Sequence, residues 1–287
     1  MIDKPLESLD AWVAYLGQSE IPVLKRTVRE LAHMREAEET VGGREIARIV
    51  LQDPLMAVKV LAYIEAHRRR SQNADITTID RAIMMLGITP FFRDFENLTP
   101  VEEHLEDHPQ AMLGMLRVVA RARRAAHFAR DWAVLRHDLD VDEITVAALL
   151  RDIAEILLWC FAPQLALEVN GLKERDPGMR SRVAQTAVYG FRTLDLQLAL
   201  CEAWHLPSLL LTLMNEAQVN NPRVRNVVCA VSLARHSANG WNDPALPDDF
   251  NAIADLLHLT PDAVMMRVGI DPYTAEETAE INRSNAG

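Results

Sequence analysis

VAALLRDIAEILL, residues 146–158, decides the fold of this chain. Across 142–159, apolar residues recur at 144, 147, 148, 150, 154, 157 and 158, the step of a helix buried over most of its circumference. Arg151, Asp152 and Glu155 are its polar interruptions. Arginine and carboxylate side chains are almost never fully buried without partners, so Asp152 is expected to pair with a nearby cation. The stretch predicts a single helix over 142–159 inside an all-α domain.

Outward from this helix, the chain is punctuated helix after helix. Asp53 followed by Pro54 is a helix start: the carboxylate caps free N–H groups, and proline at the first helical position loses no bond that it needed. Thr89–Pro90 and Thr260–Pro261 repeat the signal, and Gly87 after AIMML (82–86) suits a left-handed C-terminal cap. Alternating strands with Asn-Gly or Asp-Gly turns are absent. Residues 3–97 read as a helical half broken by a loop at 67–75, and 99–109 as an acidic, proline-bounded, solvated connector. A long helix is expected over 110–133. Further helices are expected at 222–236, 250–257 and 261–268, with 282–287 frayed.

Composition bounds the function. The chain has 287 residues, 49% hydrophobic and 25% charged, an ordinary globular balance with ample length for a core. The start of the sequence lacks a basic region followed by an apolar run, and no apolar stretch is long enough to span a bilayer, so a cytoplasmic protein without membrane contact is expected. Cys160, Cys201 and Cys229 lie far apart in apolar contexts and read as buried thiols. Val41-Gly42-Gly43-Arg44 is not a phosphate-binding fingerprint, and the methionines, Met84 and Met85 among them, read as core filler that can also serve a partner groove.

Several segments, in order, resemble one family. IPVL (21–24) leading to Leu31, EIARIV (45–50), QDPL (52–55), AVKVL (57–61), ITTIDRAI (76–83) closing with Leu86 and Gly87, and CEAWHLP (201–207) together resemble the HD-related output domain, HDOD, of bacterial signalling proteins. No one motif is specific, but the ordered set is. The resemblance implies a multi-helix bundle of the HD type with an N-terminal helical subdomain. It would occupy 14–213, as halves 14–97 and 110–213, with 214–287 a helical extension packing on or beside it. Asp53, Pro54, Gly87, Trp204 and Pro207 would be its structural motif residues, Trp204 anchoring helices.

Within the wider HD superfamily of metal-dependent phosphohydrolases, the helix at 146–158 resembles one that reads Leu-Leu-His-Asp-Ile-Gly, whose His and Asp bind metal. Here the sequence is Leu149-Leu150-Arg151-Asp152-Ile153-Ala154, and a guanidinium has only N–H donors and a permanent positive charge. Arg151 cannot replace the histidine. The upstream histidine of the HD enzymes is also missing, since the matching region near Val118 is apolar. Arg192 and Thr193 stand where an Asp-His pair often precedes the Trp-x-Leu-Pro motif. These departures leave Arg151, Asp152, Arg192 and Thr193 as a remnant site and predict no metal, no cofactor and no catalytic residue.

The expected function is a catalytically inactive signal-transduction module that works through a protein partner, with Arg151 offering a fork for a small phosphate or carboxylate. A divergent phosphohydrolase is the alternative. A second alternative, a nucleic-acid or nucleotide-responsive regulator, draws on Arg117, Arg121 and Arg124, which share one face of the 110–133 helix, and on the cluster Arg68-Arg69-Arg70. The net charge of −11 and the lack of interleaved aromatics weigh against nucleic acid. His137–Asp138 lies in a polar connector whose acids are expected to cap the next helix, and His104 with His108 lies in the acidic connector rather than in a metal-binding helix. Residue patterns leave a homodimer open.

Overall fold

The computed structural model describes residues 1–67, 75–176 and 178–270, and every regular element among them is helical. The N-terminal half holds α1 (Leu9–Gln18), α2 (Lys25–Glu36), α3 (Gly43–Val50), α4 (Pro54–Ala66), α5 (Ile79–Leu86), α6 (Ile88–Asp94) and α7 (Val101–His104). The central part holds α8 (Pro109–Leu135), α9 (Val141–Leu150), α10 (Ile153–Phe161), α11 (Pro163–Arg175), α12 (Ser181–Tyr189), α13 (Thr193–Ala203) and α14 (Ser208–Met214). The C-terminal part holds α15 (Pro222–His236), α16 (Leu246–Leu257) and α17 (Pro261–Arg267).

Asp53 shows how the caps build this architecture. Its Oδ1 accepts from the N–H groups of Leu55 and Met56 at 3.0 and 3.3 Å, capping α4. Its Oδ2 accepts from the Leu24 N–H and the Thr27 hydroxyl, both at 2.8 Å, and so pins the start of α2. One fully buried carboxylate thus joins two helix starts. Thr260 caps α17 through Ala263 N–H as the sequence predicts. Gly87 closes α5 with φ +85° and ψ 156°, an extended conformation open only to glycine rather than the left-handed cap expected, and it also begins α6. Thr89–Pro90 therefore lies inside the first turn of α6 instead of starting it.

The segment 99–109 departs most from its reading as a solvated connector. Val101 and Leu105, one turn apart, are buried in the core, and the backbone around Pro100 pairs with Val23 through bonds of 2.9 and 2.7 Å. Glu102 accepts from the Lys25 N–H at 2.8 Å, so an acid that looked solvated is a helix cap for α2. His104 donates from Nε2 to the Cys160 carbonyl at 3.0 Å and packs edge-on to Phe161, and burial lowers its pKa.

α8 is the central strut: α9, α10 and α15 all pack along it. At Gly114 the ring of Trp159 on α10 lies 2.6 Å from where a Cβ would sit, so the two helices approach through a missing side chain. The buried core continues from Ile2 to Val264. The C-terminal helices are tied in by polar bonds: Asn226 donates to the Ala129 carbonyl at 3.2 Å, Arg136 to the Leu256 carbonyl at 3.0 Å, and Arg267 forks onto Asp131 at 2.6 and 2.7 Å. No helix among the described residues is long and apolar enough to cross a membrane.

Candidate functional site

The single helix expected over 142–159 is two helices. α9 ends at Leu150 and α10 starts at Ile153, with Arg151 still helical at φ −57°, ψ −29° and Asp152 turned to φ −108°, ψ 18°. The apolar pattern runs straight across the break because both helices are buried on nearly every side, so the sequence stays apolar where the backbone turns. The break is stabilised from outside: the Ala154 N–H, freed from the helical ladder, donates to the Gln197 Oε1 on α13 at 2.9 Å. Gln197 is buried and turns its amide N–H toward Cys201 Sγ and Met214 Sδ at 3.3 and 3.6 Å.

The turn aims Asp152 at α8. Arg121 donates from Nε to Asp152 Oδ2 at 3.0 Å, and its Nη2 lies 2.8 Å from the same oxygen and 2.7 Å from Glu155 Oε2. Arg235, from the end of α15, approaches Asp152 Oδ1 at 3.5 Å. Asp152 is 7% exposed. Burial alone would push its carboxyl up, but Arg121, Arg235 and Arg151 outweigh that and hold it down to about 2 from an ordinary 3.8. The same carboxylates keep the Arg121 guanidinium protonated against its own burial. Asp152 pairs with a cation, as the sequence predicts, and the cation comes from α8.

Arg151 faces another way. Its Nη2 lies 3.2 Å from Glu216 Oε2, and burial lowers its pKa. Thr193 lines a cleft of about 50 Å³ beside Arg121, Glu155, Tyr189 and Arg235, whereas Arg192 forks onto Asp195 at the start of α13 and does not line it. The structure thus places Thr193 in a cleft also lined by Arg121 and Arg235, the partners of Asp152, and sends Arg151 and Arg192 to separate carboxylates.

The three arginines that share a face of α8 meet different fates. Arg117 is exposed, Arg121 is buried among acids, and Arg124 donates to the Ser237 carbonyl at 3.0 Å with its guanidinium over Phe128 and Trp241. The shared face is real, but α10 and α15 cover much of it. Arg68, Arg69 and Arg70, and the tail at 282–287, lie outside the described residues. Asp140 sits at the N-cap position of α9 without a side-chain cap bond, because its carboxylate is taken by Arg223. The acids of 135–143 thus gather at the start of α9 as expected, with Asp140 at the N-cap position and Asp142 and Glu143 in the first turn, but Asp140 makes no side-chain cap bond. Trp204 is buried at the end of α13, and Pro207 precedes α14. The three cysteines are buried, and burial raises each thiol, Cys201 to about 12 and Cys229 to about 11.

Gln197 and Arg235 were not singled out in the sequence. The one legible signal was negative: an Asp and a Glu in an apolar helix demand cations, but nothing local says which.

The chain is similar to the MmoQ response regulator from Methylococcus capsulatus str. Bath, with 15% identity and a TM-score of 0.65 over 87% of this chain and 98% of that one. It is similar to a virulence factor from Campylobacter jejuni subsp. jejuni, with 18% identity and a TM-score of 0.65 over 93% of each chain. At such identities the likeness is one of fold. A search of the curated proteins finds no match. The family model of the HDOD domain matches residues 21–219, more than half of the chain and all of the helices that build the site except α15. The chain belongs to the HDOD domain family.

Proposed function

We propose that this chain is a catalytically inactive HDOD module that acts in bacterial signal transduction by binding a protein partner. One observation carries the reading: the Arg121 guanidinium is held between Asp152 and Glu155. The HD enzymes that the sequence resembles place a metal at the Asp of this helix. The residues present do not fit one. Asp152 and Glu155 direct oxygen atoms onto an arginine, Arg151 stands at the histidine position, and Arg235 adds a further positive charge. A divalent ion would have to displace a buried guanidinium and then sit among like charges. The response-regulator description of MmoQ supports a signalling role. An anion at Arg151 would have to displace Glu216, so the partner surface rather than the remnant pocket carries the proposed activity.

The test is hydrolysis of bis(4-nitrophenyl) phosphate by the tag-free chain supplied with manganese or iron. The expected rate equals that of Asp152→Ala. A rate well above that of the variant would return the chain to the phosphohydrolases.

A further inference from the structure

A groove of about 1200 Å³ runs between α3, the α5–α6 junction and α8, and its lining shares no residue with the cleft beside Arg121 and Thr193. Its floor is apolar, with Ala47, Ile83 and Ala126 buried and Leu51 half-buried. Its two banks are cationic. Arg44 and Arg48 stand one turn apart on α3, and Arg123, His127 and Arg130 follow at i, i+4 and i+7 on the facing side of α8. Among the described residues Arg44, Arg48 and His127 make no hydrogen bond or ion pair. Arg123 donates to the neutral Gln52 amide at 2.6 Å, and Arg130 takes Asp142 at 2.7 Å. Asp80 is the other acid of the lining.

This arrangement is unusual for the chain that carries it. The net charge is −11, yet four arginines meet two aspartates here. Two cationic rows on either side of a groove make a local positive field that attracts an anionic occupant. Met84, on the rim, leaves 79% of its surface in solvent, an adaptable apolar contact with nothing of the described chain upon it.

We propose that this groove docks an acidic amphipathic helix of a partner protein, its apolar stripe on the floor and its carboxylates on both shoulders against the arginine banks. The proposal rests on the interaction role above and names the surface and partner chemistry for it. Charge complementarity selects an anionic occupant, and form selects a helix. Small-molecule sites usually enclose ~300–1000 Å³. A helix ~10–12 Å across fills ~120–170 Å³ per residue, so this volume is on the order of two to three turns. Arg44 and Arg48 stand ~6 Å apart along their helix, matching carboxylates at i and i+4 on the partner.

Helix-forming peptides displayed on phage, selected against the full chain, test this directly. Enriched peptides are then measured by fluorescence anisotropy on the wild type and on Arg44→Glu/Arg48→Glu. Both substitutions are on exposed side chains, and a thermal melt checks that the variant folds. The expected peptides carry Asp and Glu flanking an apolar stripe, weaken as salt rises, and lose about tenfold or more in affinity on the variant. Peptides without acidic bias, or indifferent to the two arginines, would overturn the groove while leaving the interaction role standing. Pyrophosphate titrated alone should bind more weakly than the peptides. Equal or tighter binding that depends on Arg44 and Arg48 would make this a small-anion site and overturn the helix proposal. Phosphodiester hydrolysis in the earlier assay would sink the inactive-module reading without touching this result.

Discussion

Arg121 holds Asp152 and Glu155, at the start of α10, in the interior, and removing it leaves the two acids facing each other with only the more distant help of Arg235, at 3.5 Å, and Arg151. Breaking a buried pair by deleting one partner costs about 3–5 kcal/mol, so Arg121→Met should lower unfolding stability in urea by that order. A loss under ~1 kcal/mol, the scale of a surface pair, would show the cluster to be incidental. The pH dependence has a fixed sign. A carboxylate held down to about 2 from 3.8 contributes stability that is fully present above the ordinary value and is lost as pH falls through the depressed one. The stability gap between wild type and Asp152→Asn should therefore be constant near neutrality and shrink by ~2 kcal/mol as pH falls from about 4 to 2. A gap unchanged over that window would contradict the pairing. The sequence made Asp152's need for a cation legible but not its partners, which lie 31 and 83 residues away. Helical spacing put Arg121 on a face with Arg117 and Arg124 and could not say what covers that face.

The break between α9 and α10 is an element-scale device that periodicity hides. Leu150 and Ala154 keep the helical step, while the Ala154 N–H looks to Gln197 for its acceptor. Gln197→Leu keeps the volume and leaves that N–H, and the turn aiming Asp152, without the bond. An unsatisfied buried donor costs ~1–3 kcal/mol. The variant should lose that much stability and show faster amide exchange at Ala154 than at Leu158; unchanged exchange would place the cause of the break elsewhere. Caps, by contrast, were legible. Asp53–Pro54 and Thr260–Pro261 start helices because their side chains satisfy N–H groups a few residues away, a purely local chemistry. Thr89–Pro90 failed as a start because Gly87, with its positive φ, already begins α6.

Over the whole molecule, the core continues from the N-terminal helices through α15 and α16 to Val264 of α17, and α15 covers the inner sides of both α8 and α9. A chain cut after Leu213 would expose that surface, so it should aggregate or unfold without cooperativity; a sharp two-state transition for residues 1–213 would show the C-terminal helices to be an appendage. The all-α class was legible from spacing and punctuation. The burial of Val101 and Leu105 was not, because one i, i+4 apolar pair among four acids is too short a pattern to mark a buried face, and only the packed bundle shows the two entering the core. In the same bundle the protein's own Arg121 occupies the carboxylates that, in the proposed reading, would otherwise face a metal. Metal content of the tag-free chain, by elemental mass spectrometry after expression with iron, manganese and zinc supplied, tests it most directly. Trace metal, the same for wild type and Asp152→Ala, is the expected result. Near-stoichiometric metal, lost in that variant, would contradict it.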